Sequence, residues 1–328
     1  MIVSRTPLRI SFSGGGTDIR SFYSLTYGSV ISTTINKYLY VILKKQTGIA
    51  EYKYRVNWSK VEFCNNIKDI KHPIVRETLK YFKVYFPIEI TTISDIPANS
   101  GLGSSSAFTV GLIKALSKLL KINISKYDIA ALAAKIEVDI LKRNIGKQDH
   151  YSVAYGNLNI FNFLPNEKVK IQKISIDTNK KKQLEKNLIL FWTRIKRDAS
   201  KVLKKQNKKQ KSNYEYLIDL RNTVSKMKLI LQSNSDLKNF GELLDYSWNI
   251  KKKLSNKISN KIINKYYNTA LKNGAVGGKL LGAGGGGFLL IYVNNKNKKK
   301  LINSLSDLEY LEFKFENTGS KIIFNSYK

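Results

Sequence analysis

Three glycine-rich stretches and two acids carry the chemistry open to this sequence. The most informative stretch is Pro97-Ala98-Asn99-Ser100-Gly101-Leu102-Gly103-Ser104-Ser105-Ser106, which runs into the apolar Ala107-Phe108-Thr109-Val110. A helix N-terminus carries unpaired N–H groups and about half a positive charge, which makes it a ready anion site. Gly101 and Gly103 clear side chains from the approach, and Ser104, Ser105 and Ser106 add hydroxyls that can cap the helix or reach a phosphate or Mg2+. The plainer reading is a strand-to-helix turn capped by serine; the phosphate reading is favoured. No Gly-Lys-Ser/Thr closes the stretch, so it is not the common P-loop.

The second stretch is Thr6-Pro7-Leu8-Arg9-Ile10-Ser11-Phe12-Ser13-Gly14-Gly15-Gly16-Thr17-Asp18. Asp18 offers two acceptors suited to sugar hydroxyls, and Arg9 a planar cationic fork. Taken alone, a glycine turn with Asp18 as a helix N-cap explains it as well or better. The third stretch, Gly282-Ala283-Gly284-Gly285-Gly286-Gly287, contains a formal G-x-G-x-x-G. A dinucleotide fold needs a helix after that pattern. Here Phe288-Leu289-Leu290-Ile291-Tyr292-Val293 reads as a strand, which excludes a dinucleotide site and leaves a tight loop near a ligand or a plain turn.

The acids are Glu137, in the mostly apolar Ala130–Lys142, and Asp149, in Gly146-Lys147-Gln148-Asp149-His150-Tyr151. Phosphoryl transfer needs positioning, Mg2+ and often a carboxylate to orient or deprotonate the nucleophile, and it does not need histidine. A carboxylate among apolar neighbours requires a cation beside it. Each acid also has an ordinary reading, Glu137 as a solvent-facing helix acid and Asp149 as an N-cap. His72 and His150 are the only histidines, and they complete no metalloprotease or Ser–His–Asp pattern.

The elements that must position these residues mix strands and helices without a regular βαβ repeat, which indicates an α+β fold. Strands are expected over Met1–Ser13, Val30–Leu43, within Glu51–Phe63, and over Ile88–Ile93, Tyr155–Phe163, Leu188–Thr193 and Phe288–Val293. Helices are expected over Val75–Tyr85, over Ser104–Leu120, and from Tyr127 to Lys142 with Ser125 as N-cap. Asp198–Leu271 is expected to be helical in two or three pieces, with Asn207–Ser212 polar enough for a mobile loop. A short helix and two strands around Asn317-Thr318-Gly319 end the chain. Lys180–Lys186 reads as a charged connection and places a domain boundary there, giving residues 1–182 and 183–328.

The chain has 328 residues, with 57 Lys and Arg against 24 Asp and Glu, a formal charge of +33. Lysine is spread along the chain, and the runs Lys180–Lys182, Lys251–Lys253 and Lys298–Lys300 are expected on solvated faces or turns. No RNA-binding aromatic signature, zinc-finger spacing or continuous basic arm is present, so no specific nucleic-acid partner is expected. No apolar run reaches the roughly 18 residues that would span a bilayer. Cys64 is the only cysteine, so no disulfide framework or thiolate metal cluster forms. Together these indicate a cytoplasmic protein without a membrane partner.

In this order, the three glycine-rich stretches resemble those of the GHMP kinase superfamily along nearly the whole chain. P-x-x-x-G-L-G-S-S-S at Pro97–Ser106 is that superfamily's signature, and the late loop at Gly282–Gly287 is its third motif. The opening T-P-L-R-I-S-F-S-G-G-G-T-D, with S-T-T-I-N-K-Y-L-Y-V and G-K-Q-D-H-Y-S-V-A-Y-G-N-L-N, is similar to kinases of D-glycero-D-manno-heptose 7-phosphate.

The resemblance implies a ribosomal-S5-domain-2-like N-terminal domain and a ferredoxin-like C-terminal domain, with the site between them. It implies an ATP-dependent sugar kinase that phosphorylates the anomeric hydroxyl to give the 1,7-bisphosphate. Pro97, Asn99, Ser100, Gly101, Leu102, Gly103, Ser104, Ser105 and Ser106 would hold ATP, and Ser105 with Glu137 would ligate Mg2+. Asp149 would orient or deprotonate the acceptor hydroxyl beside Arg9. Gly15, Gly16, Thr17, Asp18, Lys147, Gly284 and Gly285 would bind the phosphorylated sugar. Lys147, Arg20 and Arg197 are candidates for its phosphate, and a homodimer is compatible with the family. Asn99 stands where a small residue is usual, and Thr193-Arg194 where Thr-Gly is common. Another sugar-1-kinase, fucokinase- or galactokinase-like, is the alternative, and a non-catalytic basic binding protein a more distant one.

Overall fold

The computed structural model describes residues 1–47, 49–195 and 210–327, with side chains at 210 and 211 left aside. Two long strands, β1 (Ile2–Ser13) and β2 (Gly28–Lys45), pair antiparallel from Ile2↔Leu43 to Ser13↔Ile31. The short helix α1 (Arg20–Tyr23) lies in their connection. β3 (Tyr54–Asn57) and β4 (Val61–Cys64) follow, then α2 (Pro73–Tyr81) and β5 (Ile88–Ser94), which pairs with β2.

Helix α3 (Ser104–Leu119) packs on β1 and β2 through a face that includes Ala107, Val110, Ile113 and Leu116, all fully buried. Ser125 caps α4 (Lys126–Ala134) by accepting from the Asp128 N–H, a bond worth about 1 kcal/mol. The expected helix through Lys142 does not run on unchanged. From Lys135 to Ile140 it widens to a π-helix, which turns both Ile136 and Glu137 inward.

Helix α5 (Gln148–Tyr155) is absent from the elements expected from the sequence, and the strand read from Tyr155 begins at Leu158. β6 (Leu158–Phe163) pairs with β2, and β7 (Val169–Lys173) with β6. The stretch read as a charged connection is a helix, α6 (Thr178–Asn187). It lacks apolar periodicity; the Asp177 carboxylate accepts from the Asn179 and Lys180 N–H groups at 2.9 Å, and Leu184 anchors it in the core. Residue 182 therefore lies inside a helix.

The second sheet is β8 (Leu188–Trp192), β9 (Ala275–Leu280), β10 (Phe288–Val293) and β11 (Glu309–Leu311), in the spatial order β11-β8-β10-β9. Between β8 and β9 come α7 (Gln210–Gln232), α8 (Lys238–Lys253) and α9 (Lys261–Lys272); α10 (Asn295–Ser304) joins β10 to β11. This β-α-β-β-α-β order is the ferredoxin-like arrangement.

Both faces of β8 are covered. Leu188 and Leu190 face the core shared with the first sheet, and Ile189 and Phe191 face the core under α7 to α9. Two-sided burial is why β8 and β10 read as unbroken apolar runs. The expected helical stretch starts outside the described residues, as do 207–209 of the polar loop; 210–212 open α7. The chain then returns to the first sheet, where β12 (Phe315–Glu316) pairs with β2 and β13 (Lys321–Asn325) with β1.

Candidate active site

A cleft of about 830 Å3 lies where the ends of both sheets meet. Arg9, Ser11, Gly15, Gly16 and Asp18 line it from β1 and the loop after it; Asn99, Gly101 and Gly103–Ser106 come from the loop before α3; Lys279, Gly282 and Ala283 come from the second sheet.

The loop before α3 is built for an incoming anion. Gly103 holds φ +79° at the N-cap, where a Cβ would press on the Arg9 side chain. No side chain caps α3, so the alternative reading of a serine-capped turn does not apply and its first N–H groups are left to the cleft. Asn99 takes φ +62°, a left-handed position that Asn tolerates, which accommodates the unusual residue there. The loop is braced from behind. The Arg9 N–H donates to Leu102 O at 3.0 Å, and the Phe288 N–H to Ser100 O at 3.0 Å. Ser100 and Leu102 are buried and Pro97 is exposed, and none of these three lines the cleft.

Arg9 Nε and Nη2 each donate to Asp149 at 2.7 Å, and Nη1 donates to Gly101 O at 2.6 Å. One guanidinium thus ties the first-turn acid of α5 to the loop before α3. The fork is 3% exposed, while Asp149 keeps 23% exposure toward the cleft. Asp18 accepts from the Gln148 and Gly16 N–H groups and from Gln148 Nε2. It therefore caps α5 across the cleft rather than the helix that follows it in sequence. Burial raises the Asp18 carboxyl above its ordinary value and the Asp149 charge adds to this, while the backbone donors offset part of it. Gly146 permits the approach, because a Cβ there would overlap the Asp18 carboxylate.

Glu137 is fully buried. It accepts from Ser105 Oγ at 2.7 Å, Thr109 Oγ1 at 2.8 Å, Arg143 Nη1 at 2.6 Å and His150 Nε2 at 3.1 Å. Burial alone would raise its carboxyl, but His150, Arg143 and the Ser105 hydroxyl together hold it below the usual carboxylate range. Glu137 and Ser105 are adjacent hard oxygen donors that suit Mg2+, which takes one or two protein ligands and completes its shell with phosphates and water. No group of three or more His, Cys, Asp and Glu that could hold a metal occurs among the described residues.

Several expected substrate contacts lie elsewhere. Thr17 is buried behind the loop, with its hydroxyl donating to Gly14 O and Ser29 O. Lys147 pairs with Glu167 and sits over the Tyr23 ring, and Arg20 bridges Asp139 and Glu167. Neither Lys147 nor Arg20 lines the cleft. Arg197 lies outside the described residues. Gly284 and Gly285 pack against Ile258, while Gly282 and Ala283 reach the cleft. In the departure at Thr193-Arg194, Thr193 fastens the glycine loop by donating twice to Gly287 O, and Arg194 takes the left-handed φ of +59°.

Sequence reasoning missed four groups that line the cleft. Lys251, from a run expected to be solvated, is 6% exposed and donates to Gly282 O. Lys279 is 3% exposed and donates to Phe12 O at 2.8 Å; burial, Lys251 and Arg9 all depress its ammonium. Gln148 Oε1 is buried with no hydrogen-bond partner among the described residues. On the other side of the loop, Trp58, His72 and Phe108 form an aromatic wall, with ring centroids 4.7 and 4.9 Å from that of His72. Their only signal in the sequence was residue type.

The model of the GHMP kinases N terminal domain matches residues 69–157, and that of the GHMP kinases C terminal matches residues 227–309. A D-glycero-alpha-D-manno-heptose 7-phosphate kinase of Campylobacter jejuni is 32% identical over 338 residues, covering 98% of each chain. A galactokinase of Pyrococcus furiosus is 23% identical over 94% of each chain. A solved D-glycero-D-manno-heptose 1-phosphate kinase from Bacteroides thetaiotaomicron shares the fold, with a TM-score of 0.82 at 23% identity and 100% of each chain covered. The chain belongs to the GHMP kinase family. Within that family it is a sugar kinase, a phosphotransferase that uses ATP.

Proposed function

We propose that the protein transfers the γ-phosphoryl group of ATP to the anomeric hydroxyl of D-glycero-D-manno-heptose 7-phosphate, giving the 1,7-bisphosphate and ADP. The observation that carries this reading is the Arg9 fork, which holds Asp149 open to the cleft beside the uncapped start of α3. The 32% identity over 98% of the chain to a kinase of that name supports the sugar.

In this reading the N–H groups of Ser104–Ser106 hold the ATP phosphates, and Trp58, His72 and Phe108 flank the base. Asp18 and the unpartnered Gln148 Oε1 accept from sugar hydroxyls. Asp149 aligns the anomeric hydroxyl and takes its proton as the new O–P bond forms; the bond from the γ-phosphorus to the β–γ bridging oxygen breaks, and ADP leaves. Arg9 keeps that carboxylate in place. Ser105 and Glu137 would hold Mg2+, which when bound neutralises phosphate charge. Lys251 and Lys279 take over the role expected of Lys147 and Arg20 and receive the acceptor's own phosphate, since two buried ammoniums in a cleft favour an anionic ligand.

The test is ADP release with Mg·ATP over D-glycero-D-manno-heptose 7-phosphate, sedoheptulose 7-phosphate, mannose 6-phosphate, mannose, fucose and galactose. A preference for the heptose 7-phosphate supports the reading. Equal or better turnover of a neutral sugar overturns the substrate.

A further inference from the structure

Arg143 has no part in the roles above, yet it sits at their centre. The same Nη1 lies 2.6 Å from Glu137 Oε2 and 2.9 Å from Ser105 Oγ, so one guanidinium nitrogen bridges the two groups proposed to ligate the metal. Its Nε and Nη2 make no hydrogen bond with the described residues. The residue is 31% exposed and lines the cleft beside Gly103–Ser106.

The backbone around it is fixed. Leu141 N–H donates to Ile136 O, Arg143 N–H to Glu137 O at 3.1 Å, and Lys147 N–H to Asp18 O. Lys142, at φ +52°, turns the chain out of the π-helix. Any change of partner by Arg143 is therefore a swing of its side chain.

We infer that Arg143 is the resident cation of this site: it holds Ser105 and Glu137 in the nucleotide-free protein and gives them up to Mg2+ when ATP arrives, moving its guanidinium onto the nucleotide's phosphates. The inference rests on the reading of Ser105 and Glu137 as metal ligands. Its physical basis is charge. Glu137 carries one negative charge, already neutralised by Arg143 at contact distance. A divalent ion about 2.1 Å from the same oxygen would face that guanidinium and have no anion to offset it. ATP supplies the missing negative charge and gives the displaced guanidinium a bidentate acceptor. The metal and nucleotide then load together, and the metal alone does not bind.

Mn2+ serves as the probe, with the free ion followed by electron paramagnetic resonance in titrations of the full-length protein. In the presence of a non-hydrolysable ATP analogue, wild type takes up Mn2+, and Glu137→Gln takes it up about tenfold more weakly. Wild-type uptake by Glu137→Gln would remove Ser105–Glu137 as the metal site, a failure of the underlying reading that is separate from any failure of Arg143. Without nucleotide, wild type takes up none over the same range, whereas Arg143→Gln takes up Mn2+ within that range and binds the analogue about tenfold more weakly. Adding Glu137→Gln to Arg143→Gln abolishes the gained uptake. Arg143→Lys, with a smaller shift in the same directions, serves if the glutamine variant folds poorly. A merely structural ion pair would not gain metal affinity when broken, so unchanged nucleotide-free Mn2+ affinity in both variants overturns the inference.

Discussion

Glu137 and Asp149 are two carboxylates of one cleft with opposite surroundings. Glu137 is sealed from solvent and receives donors from Ser105, Thr109, Arg143 and His150. Among the described residues, Asp149 receives side-chain donors from Arg9 alone, and it keeps 23% exposure. The first arrangement makes a rigid, permanently ionised anchor. The second fixes a carboxylate's position and leaves acceptor capacity for a substrate. The same division runs through the surrounding regions. The side proposed for the nucleotide is walled by aromatic groups and closed by internal bonds, and the side proposed for the acceptor gathers Arg9, Lys251 and Lys279 around an open space.

The comparison breaks first at Asp149. Asp149→Asn should lower kcat by about 10²- to 10⁴-fold, the usual contribution of a positioned acid–base group, with ATP affinity unchanged. Calorimetric ATP binding beside steady-state turnover measures both, and an unchanged kcat removes Asp149 from the chemistry. Glu137→Gln should act on a different axis. The Mg2+ concentration for half-maximal activity should rise about tenfold, with a smaller loss of kcat at saturating metal. A superimposable Mg2+ titration would erase the distinction between the two acids.

A smaller effect belongs to the aromatic side. His72 caps α2 by accepting from the Val75 N–H, which requires an unprotonated Nδ1. Burial, with the nearby Arg143 charge, pushes the imidazole down to about 4 from 6.5, although Glu62 opposes the shift. With the folded value below the unfolded one, the unfolded chain takes the proton first. The His72 contribution is therefore complete above about 6.5 and is lost as pH falls toward about 4. His72→Asn keeps a capping acceptor without the titration, so its urea stability should vary less with pH across that window than wild type's. Parallel pH profiles would show that His72 is not held neutral.

The sequence made legible what short-range pattern controls. The loop before α3, the unbroken apolar run of β8 and the Ser125 cap all follow from neighbours in the chain. Direction and long-range pairing were not legible. Glu137 points inward because the helix widens at Lys135, and composition does not encode that widening. Lys147 and Arg20 look like free cations until Glu167, which pairs with both, and Asp139, which pairs with Arg20, are brought beside them. In each lysine run, one member is recruited by a distant carbonyl. Lys180 donates to the carbonyls of Ile230, Ser233 and Ser235 at the end of α7, Lys251 to Gly282 O and Lys298 to Lys186 O. The return of β12 and β13 to the first sheet depends on partners near the opposite end of the chain, such as Asn325 opposite Ile2.

The central claim is that Asp149 and Arg9 direct the new phosphate to the anomeric oxygen of an already phosphorylated sugar. Phosphorus NMR of the product formed from D-glycero-D-manno-heptose 7-phosphate and Mg·ATP tests it most directly. The account predicts the original 7-phosphate signal, retained, together with one new phosphate monoester coupled to the anomeric proton, forming at least about a hundredfold more slowly with Asp149→Asn. A new phosphate coupled to any other sugar proton, or the same product from Asp149→Asn at the wild-type rate, would contradict it.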